Sequence, residues 1–474
     1  MDYLMHINGQ QVGEHLDKIT IYNPADGERV GSVPNGGKQE AQRAIQAAHD
    51  AFTLWSQKTA YERSAYLKTL NDLLIDHQDE LGQLMTREMG KPIKESVGEV
   101  TYAATFVEWY AEEAKRIYGE TIPSHINSKR MQVWKKPIGV VGAITPWNFP
   151  LAMITRKIAP ALAAGCTVIV KPSSESPLTA LKFIELAQEA GFPDGVINVI
   201  TGSSSAIVGE MMHDERIRKI TFTGSTEVGK LLIEQSAQNV KKLSLELGGH
   251  APFIIFDDAD IDKAVEHVIA SKFRNSGQTC VCANRIYVQE KIYETFVTRF
   301  AKRVEKMTIG DGIDETVDIG PLINEDGLKK VTEQVDDALK NGATIVTGGK
   351  KLERQGLFYA PTVIRDVHPS MNIMQEETCG PVAPVQKFAT EDEAIALANS
   401  TEFGLAAYVF TENVAKGMRI IEQLDFGIVG WNDGLPSAAQ APFGGLKESG
   451  FGREGGREGI DAFLETQYVS IGID

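Results

Sequence analysis

Cysteine is scarce: four residues in a chain of 474 do not make a disulfide framework. Small stapled secreted folds are thereby excluded, and reduced thiols are expected. Positive charge is short as well. With 48 Lys and Arg against 64 Asp and Glu, the net charge of −16 argues against nucleic acid or an anionic membrane as the main partner. An anionic substrate needs only local positive charge and stays open. Long apolar runs are also missing. The longest, over residues 158–170, is too short and too interrupted by glycine and proline to cross a bilayer. The opening Met-Asp-Tyr-Leu-Met-His has neither a basic leader nor an apolar core, so a cytoplasmic protein is expected. No repeat, low-complexity tract or metal-ligand spacing stands out, and no metal is expected.

What is present is an ordinary globular composition, 42% hydrophobic and 24% charged. The length exceeds what a single core serves, so two or three domains are expected. Residues 38–54 place Ala41, Ala44, Ile45, Ala48, Ala51 and Phe52 on one helical face, and 61–116 is similarly helical. A polar, then extended stretch at 124–137 reads as an arm or hairpin. From residue 138, short apolar runs at 138–144, 167–170, 196–200, 219–222 and 252–256 alternate with helical segments at 178–190 and 227–238. That alternation is the pattern of a buried parallel sheet with helices on both faces. A second round after residue 260, with runs at 285–288, 343–346, 360–364 and 406–410, predicts a second α/β domain. Residues 454–465 read as helix and 466–473 as a terminal strand.

Cys280 closes the segment Phe273-Arg274-Asn275-Ser276-Gly277-Gln278-Thr279-Cys280. A thiol among small and polar residues suits a nucleophile, although a lone cysteine is more often a small buried hydrophobe. Upstream, Glu246 precedes Gly248 and Gly249 in Leu245-Glu246-Leu247-Gly248-Gly249, where a carboxylate can serve as general base in a cavity wall or simply face solvent. Thr145-Pro146-Trp147-Asn148-Phe149-Pro150 follows an apolar run directly. The Asn148 amide is well placed there to donate to a developing oxyanion, or to make an ordinary turn.

Together these segments resemble the signature motifs of the aldehyde dehydrogenase superfamily. So do Val170-Lys171-Pro172, the run from Phe222 to Gly229, Glu376-Glu377-Thr378-Cys379-Gly380-Pro381, and the run from Pro442 to Gly450. The resemblance extends from about residue 10 to the C-terminus and implies a specific chemistry. Cys280 would attack the aldehyde, and the Asn148 amide with the Cys280 N–H would hold the oxyanion. Hydride transfer to a nicotinamide would leave a thioester, and Glu246 would activate the water that hydrolyses it. Thr145, Pro146, Trp147, Lys171, Ser174, Gly224, Ser225 and Glu377 would form the cofactor site. Within it, Lys171 would meet the adenosine ribose, Gly224 and Ser225 the pyrophosphate, and Glu377 the nicotinamide ribose. Cys379 departs from the family, which usually has Phe two residues beyond that Glu.

The implied architecture is α/β. It has a Rossmann-like cofactor domain (1–120 and 138–247, with part of 437–457), a second α/β catalytic domain (248–436) and a small β oligomerisation element (121–137 and 458–474). A homodimer or homotetramer follows. Arg156 and Arg274 are spaced to point into the substrate tunnel, where they would bind a carboxylate, or else they form structural ion pairs. With Ser437 and the Cys280-Val281-Cys282 sequence they most resemble the succinate-semialdehyde dehydrogenase branch. A small carboxylated aldehyde is the expected substrate, with glutarate semialdehyde as the alternative. Acyl transfer to coenzyme A and a non-catalytic role on the same fold are the rivals from other classes. NAD-preferring relatives usually carry Glu where this chain has Ser174, so NADP is expected to be preferred over NAD. Cys282 is either a small wall residue or the partner of Cys280 in a strained, reversible disulfide.

Overall fold

Five parallel strands of the computed structural model, which describes residues 1–473, build the first sheet. They are β1 (Val140–Ile144), β2 (Thr167–Lys171), β3 (Ile197–Val199), β4 (Ile217–Thr223) and β5 (Lys242–Glu246), paired in the order β3-β2-β1-β4-β5. Short antiparallel strands, Met5–Ile7 and Gly450–Phe451, extend the two edges. Connections leave in opposite directions on either side of β1. Open α/β sheets bind ligands outside the carboxyl ends of the strands at such a switch point.

A second sheet contains β6 (Ala251–Ile255), β7 (Ala283–Gln289), β8 (Thr344–Thr347), β9 (Thr362–Arg365), β10 (Val382–Phe388), β11 (Ala406–Phe410) and β12 (Ile428–Trp431). Its order is β8-β9-β10-β7-β6-β11-β12, parallel throughout except for β8 against β9. The run at 252–256, grouped above with the first round, is therefore the central β6 of this sheet. β5 went unread because Lys242, Ser244 and Glu246 alternate with Leu243 and Leu245, so it is no apolar run. β10 carries Pro384, which demotes a run as a strand candidate.

The helical stretch at 61–116 resolves into Ala60–Asp76, Gln78–Met89 and α1 (Ile93–Glu113). Three further helices frame the site: α2 (Ala152–Ala164), buried at every residue, α3 (Thr226–Ser236) and α4 (Ile261–Lys272). The helix expected over 454–465 shrinks to Glu458–Asp461, because Gly455 and Gly456 take left-handed φ values of 67° and 57°. Glu120–Ile122, Lys129–Pro137 and Leu464–Gly472 make a separate three-stranded antiparallel sheet, in which Leu464–Gly472 is an edge strand. Among the described residues, no helix is long and apolar enough to cross a membrane.

Candidate active site

The carboxyl ends of β1, β2, β4 and β5 deliver Thr145 and Asn148, Lys171, Thr223 with Gly224, and Glu246 to one side of the first sheet. Asn148 is fixed through its backbone. Its carbonyl accepts from the Lys91 ammonium at 2.9 Å and from Asn275 Nδ2 at 3.1 Å. Lys91, fully buried, is paired with Glu99 of α1, which also accepts from the Leu151 and Ala152 N–H groups at the start of α2. Its ammonium lies 4.0 Å from the centre of the Phe149 ring. The Asn148 Nδ2 donates to the Gln278 carbonyl at 3.1 Å, and its buried Oδ1 has no partner.

Cys280 follows a strained segment. Asn275 and Ser276 have φ of 49° and 55°, a conformation costly for residues with a Cβ. The Asn275 N–H donates to Glu95 at 2.7 Å. Gly277 also has positive φ, and a Cβ there would stand 2.1 Å from the Gly380 carbonyl oxygen, so only glycine fits. The segment holds the Cys280 thiol 3.0 Å from Glu246 Oε1, to which it donates. Burial, then the Glu246 charge, push this thiol well above its ordinary range. The neutral thiol is thus the resting form, and Glu246 is the acceptor in contact with its proton. The Cys280 N–H has no acceptor among the described residues, which leaves it available to an oxyanion.

Arg156 does not stand free in a tunnel. Its Nη2 is ion-paired with Glu246 Oε2 and its Nε with Glu454 Oε2, while its guanidinium stacks 4.2 Å from the centre of the Phe443 ring. Thr223 Oγ1 donates to the same Glu246 oxygen at 2.8 Å, and Lys157 reaches Glu454 and Thr223. These carboxylates hold Arg156 fully charged in spite of its burial. Arg274, by contrast, is half-buried over the Phe149 ring at 4.6 Å, without an ion pair among the described residues. It lines a small cleft with Ser437, Thr279, Val281 and Tyr408. Two of the three expected substrate residues therefore meet beside the nucleophile, and the third is bound to the base.

Cys282 was expected either in the wall or as the disulfide partner of Cys280. The chain turns at Cys280, with the Cys282 N–H donating to the Thr279 carbonyl at 3.3 Å, instead of running extended. The Cys282 thiol is buried against Asn284 Oδ1 at 3.2 Å and the Gly277 carbonyl at 3.4 Å, with the Lys272 ammonium at 3.6 Å. A bridge to Cys280 would require that turn to be rebuilt.

Thr145, Lys171, Ser174, Gly224 and Ser225 line a second cleft of about 360 Å³. Pro146 and Trp147 lie next to it in the chain but are not part of its lining. Ser225 caps α3, accepting from the Val228 N–H at 3.3 Å, so a helix N-terminus opens onto the cleft. Lys171 is buried, donates only to the Pro172 carbonyl at 2.7 Å, and is drawn down to about 8 by desolvation. The Thr145 hydroxyl is buried without a partner. An uncompensated ammonium, an orphaned hydroxyl and a helix N-terminus together fit a phosphate-bearing dinucleotide. Glu377 sits apart, beside the base. Its Oε1 accepts from the Gly249 N–H at 3.5 Å, and burial raises it to about 7. Cys379 has φ of 51° and is half-buried.

The aldehyde dehydrogenase family model matches residues 12–469. The chain belongs to that family. This aldehyde dehydrogenase is 53% identical over 468 residues to the succinate-semialdehyde dehydrogenase [NADP(+)] of Escherichia coli, covering 98% of this chain and 97% of the relative. It is 52% identical to the glutarate-semialdehyde dehydrogenase of Pseudomonas putida, over 99% of this chain and 97% of that one. A crystal structure of an E. coli NADP-dependent enzyme superposes with a TM-score of 0.98 at 52% identity, covering 99% of this chain and 98% of that one.

Sequence reasoning missed Glu454, Lys157, Thr223 and Lys91 as parts of the dehydrogenase site. Glu454 lies 298 residues from its partner Arg156, and no local pattern links two charges so far apart.

Proposed function

We propose that this aldehyde dehydrogenase oxidises a short aldehyde bearing a terminal carboxylate, succinate semialdehyde first and glutarate semialdehyde second, with NADP as the preferred cofactor and NAD as the alternative. The observation that supports the substrate class is the unpaired Arg274 sharing a cleft with Ser437 beside Cys280. Both curated relatives named above act on semialdehydes with a carboxylate at the far end.

Glu246 takes the Cys280 proton, and the thiolate attacks the aldehyde carbon. The Asn148 amide and the Cys280 N–H then hold the oxyanion. A nicotinamide held in the cofactor cleft would supply the hydride acceptor, and a thioester on Cys280 would remain. Glu246 first releases the thiol proton to solvent and then takes a proton from water. The hydroxide adds to the thioester carbonyl, and the Cys280 sulfur leaves as Glu246 returns that proton to it. A carboxylate in contact with the sulfur favours hydrolysis over transfer to coenzyme A. Lys171, Thr145, Ser174, Gly224 and Ser225 would hold the adenosine and phosphates, and Glu377 the nicotinamide ribose.

We assign residues 1–120 and 138–247, with part of 437–457, to cofactor binding, and 248–436 to catalysis. Residues 121–137 with 458–474 serve assembly. The unpaired edge of Leu464–Gly472 suits pairing with a second subunit in a homodimer or homotetramer. Four free cysteines suit a reducing, cytoplasmic setting.

Arg274→Ala tests the substrate class. A hydrogen bond to a charged group contributes about 1.5–3 kcal/mol, roughly 10- to 150-fold in rate. The variant lowers kcat/KM for succinate semialdehyde by that order and spares butanal. Equal losses on both aldehydes make Arg274 structural. Ser174→Glu tests the cofactor. A carboxylate in the cleft repels a 2′-phosphate, so kcat/KM with NADP falls by about tenfold or more while that with NAD holds. Glu175 also lines this cleft, but it is exposed and its carboxylate accepts from Asn324 at 3.5 Å. A wild-type enzyme that turns over with NAD and not measurably with NADP contradicts the assignment.

A further inference from the structure

The turn that carries Cys280 is held from outside the motif it belongs to. Tyr408, buried on β11, donates from its hydroxyl to the Val281 carbonyl at 2.6 Å. Its ring stacks on Phe253 of β6 with centroids 5.2 Å apart, which anchors the phenol to the second sheet. Burial pushes this phenol up, so it stays a protonated donor. Beside it, the Ser271 hydroxyl of α4 accepts from the Ala283 N–H at 3.2 Å, where the chain enters β7. On the other side the turn is pressed against backbone: a Cβ at Gly249 would stand 2.2 Å from the Cys280 carbonyl oxygen.

Two rigid peptide units carry the hold of the phenol to the nucleophile. The Val281 carbonyl and the Cys282 N–H belong to one planar unit. That N–H donates to the Thr279 carbonyl at 3.3 Å. The Thr279 carbonyl shares its own plane with the Cys280 N–H, which points the opposite way and has no acceptor among the described residues. Hydrogen bonds in series polarise one another, so the bond accepted at Val281 orients and strengthens the donor at Cys280.

We propose that Tyr408 is a positioning residue for the oxyanion site, holding the Cys280 N–H in line through the Val281–Cys282 and Thr279–Cys280 peptide units. The inference rests on the reading of Cys280 as nucleophile and adds a group 128 residues away that no motif around Cys280 contains. Negative charge builds on the aldehyde oxygen twice, when the thiolate adds and when hydroxide adds to the thioester. Both steps need the donor, and both slow when it is loose. Attack by the same sulfur on a saturated carbon makes no oxyanion and does not need it.

Tyr408→Phe keeps the ring on Phe253 and removes only the hydroxyl. Losing an oxyanion donor outright costs about 10²–10³-fold, and a misaligned one is expected to cost about 10- to 100-fold. Stopped-flow cofactor reduction with succinate semialdehyde and NADP reads acylation in the burst, and the steady state that follows reads hydrolysis. Both rates fall by that factor, with kcat affected more than KM. The burst keeps the shape of its pH dependence, because the contact between Cys280 and Glu246 is untouched. Iodoacetamide, which alkylates a thiol without forming an oxyanion, labels Cys280 at nearly the wild-type rate.

An unchanged burst overturns the proposal. So does alkylation slowed in step with the burst, since the whole turn has then moved and the phenol serves packing alone. Wild-type enzyme that keeps its turnover after alkylation at Cys280 overturns the nucleophile reading, and the positioning role with it.

Discussion

Cys280→Ala abolishes aldehyde-dependent cofactor reduction, with a loss of at least about 10⁴-fold, on the scale seen when a covalent catalyst loses its nucleophile. Nothing else near the aldehyde site can substitute. Cys282 is sealed against Asn284 and the Gly277 carbonyl, and Cys379 stands at a left-handed position beside Glu377. The loss should come without unfolding, because Cys280 is half-buried and its thiol makes one side-chain hydrogen bond, to Glu246. Cys166 provides the contrast. It is fully buried behind β2, its thiol donates to the Phe463 carbonyl at 3.5 Å, and burial holds it at about 11. Cys166→Ala therefore keeps its activity and at most loses some packing stability. Steady-state assays of both variants, with circular dichroism to confirm folding, decide the matter. Substantial turnover by Cys280→Ala would sink the mechanism.

Glu246→Gln removes most steady-state turnover, by about 10³-fold or more, since a missing general base typically costs 10²–10⁴. One equivalent of reduced cofactor per site should still form, because hydride leaves before water attacks. The structure adds a condition to this result. Glu246 Oε1 is also the acceptor of the Cys280 proton, so the burst itself slows in the variant. Burial raises the Cys280 thiol above its ordinary range, so the thiolate fraction is small at neutral pH and grows as pH rises. Replacing the Glu246 carboxylate removes one of the influences that raise the thiol, but leaves the larger one, burial. The burst rate of Glu246→Gln therefore climbs with pH, by roughly tenfold per unit below the thiol's pKa. A variant with no burst at any pH would contradict this, since it would make Glu246 indispensable to acylation even where the thiol ionises by itself.

Much of this site was legible in the sequence because each catalytic residue sits in a short motif at the end of a strand. Asn148, Lys171, Gly224 and Glu246 follow β1, β2, β4 and β5 or close them, and the parallel register brings those ends together. Strand β5 itself was not legible, since its alternating polar residues Lys242, Ser244 and Glu246 break the apolar run. The state of Arg156 was illegible for a different reason. Its spacing from Asn148 suggests a place near the chemistry, but its partners Glu246 and Glu454 arrive from distant parts of the chain. For Cys282 the two alternatives turn on local backbone shape. Two residues in extended chain can approach disulfide distance, whereas here the chain turns, with the Cys280 thiol on Glu246 and the Cys282 thiol on Asn284 and the Gly277 carbonyl.

The most direct measurement traps the covalent intermediate. Glu246→Gln is mixed with succinate semialdehyde and NADP, quenched in acid after the burst, digested and mapped by mass spectrometry. The expected result is one succinyl group on the peptide containing Cys280, in proportion to the cofactor reduced. Stoichiometric cofactor reduction with Cys280 unmodified, or with the acyl group on another residue, would contradict the thioester mechanism.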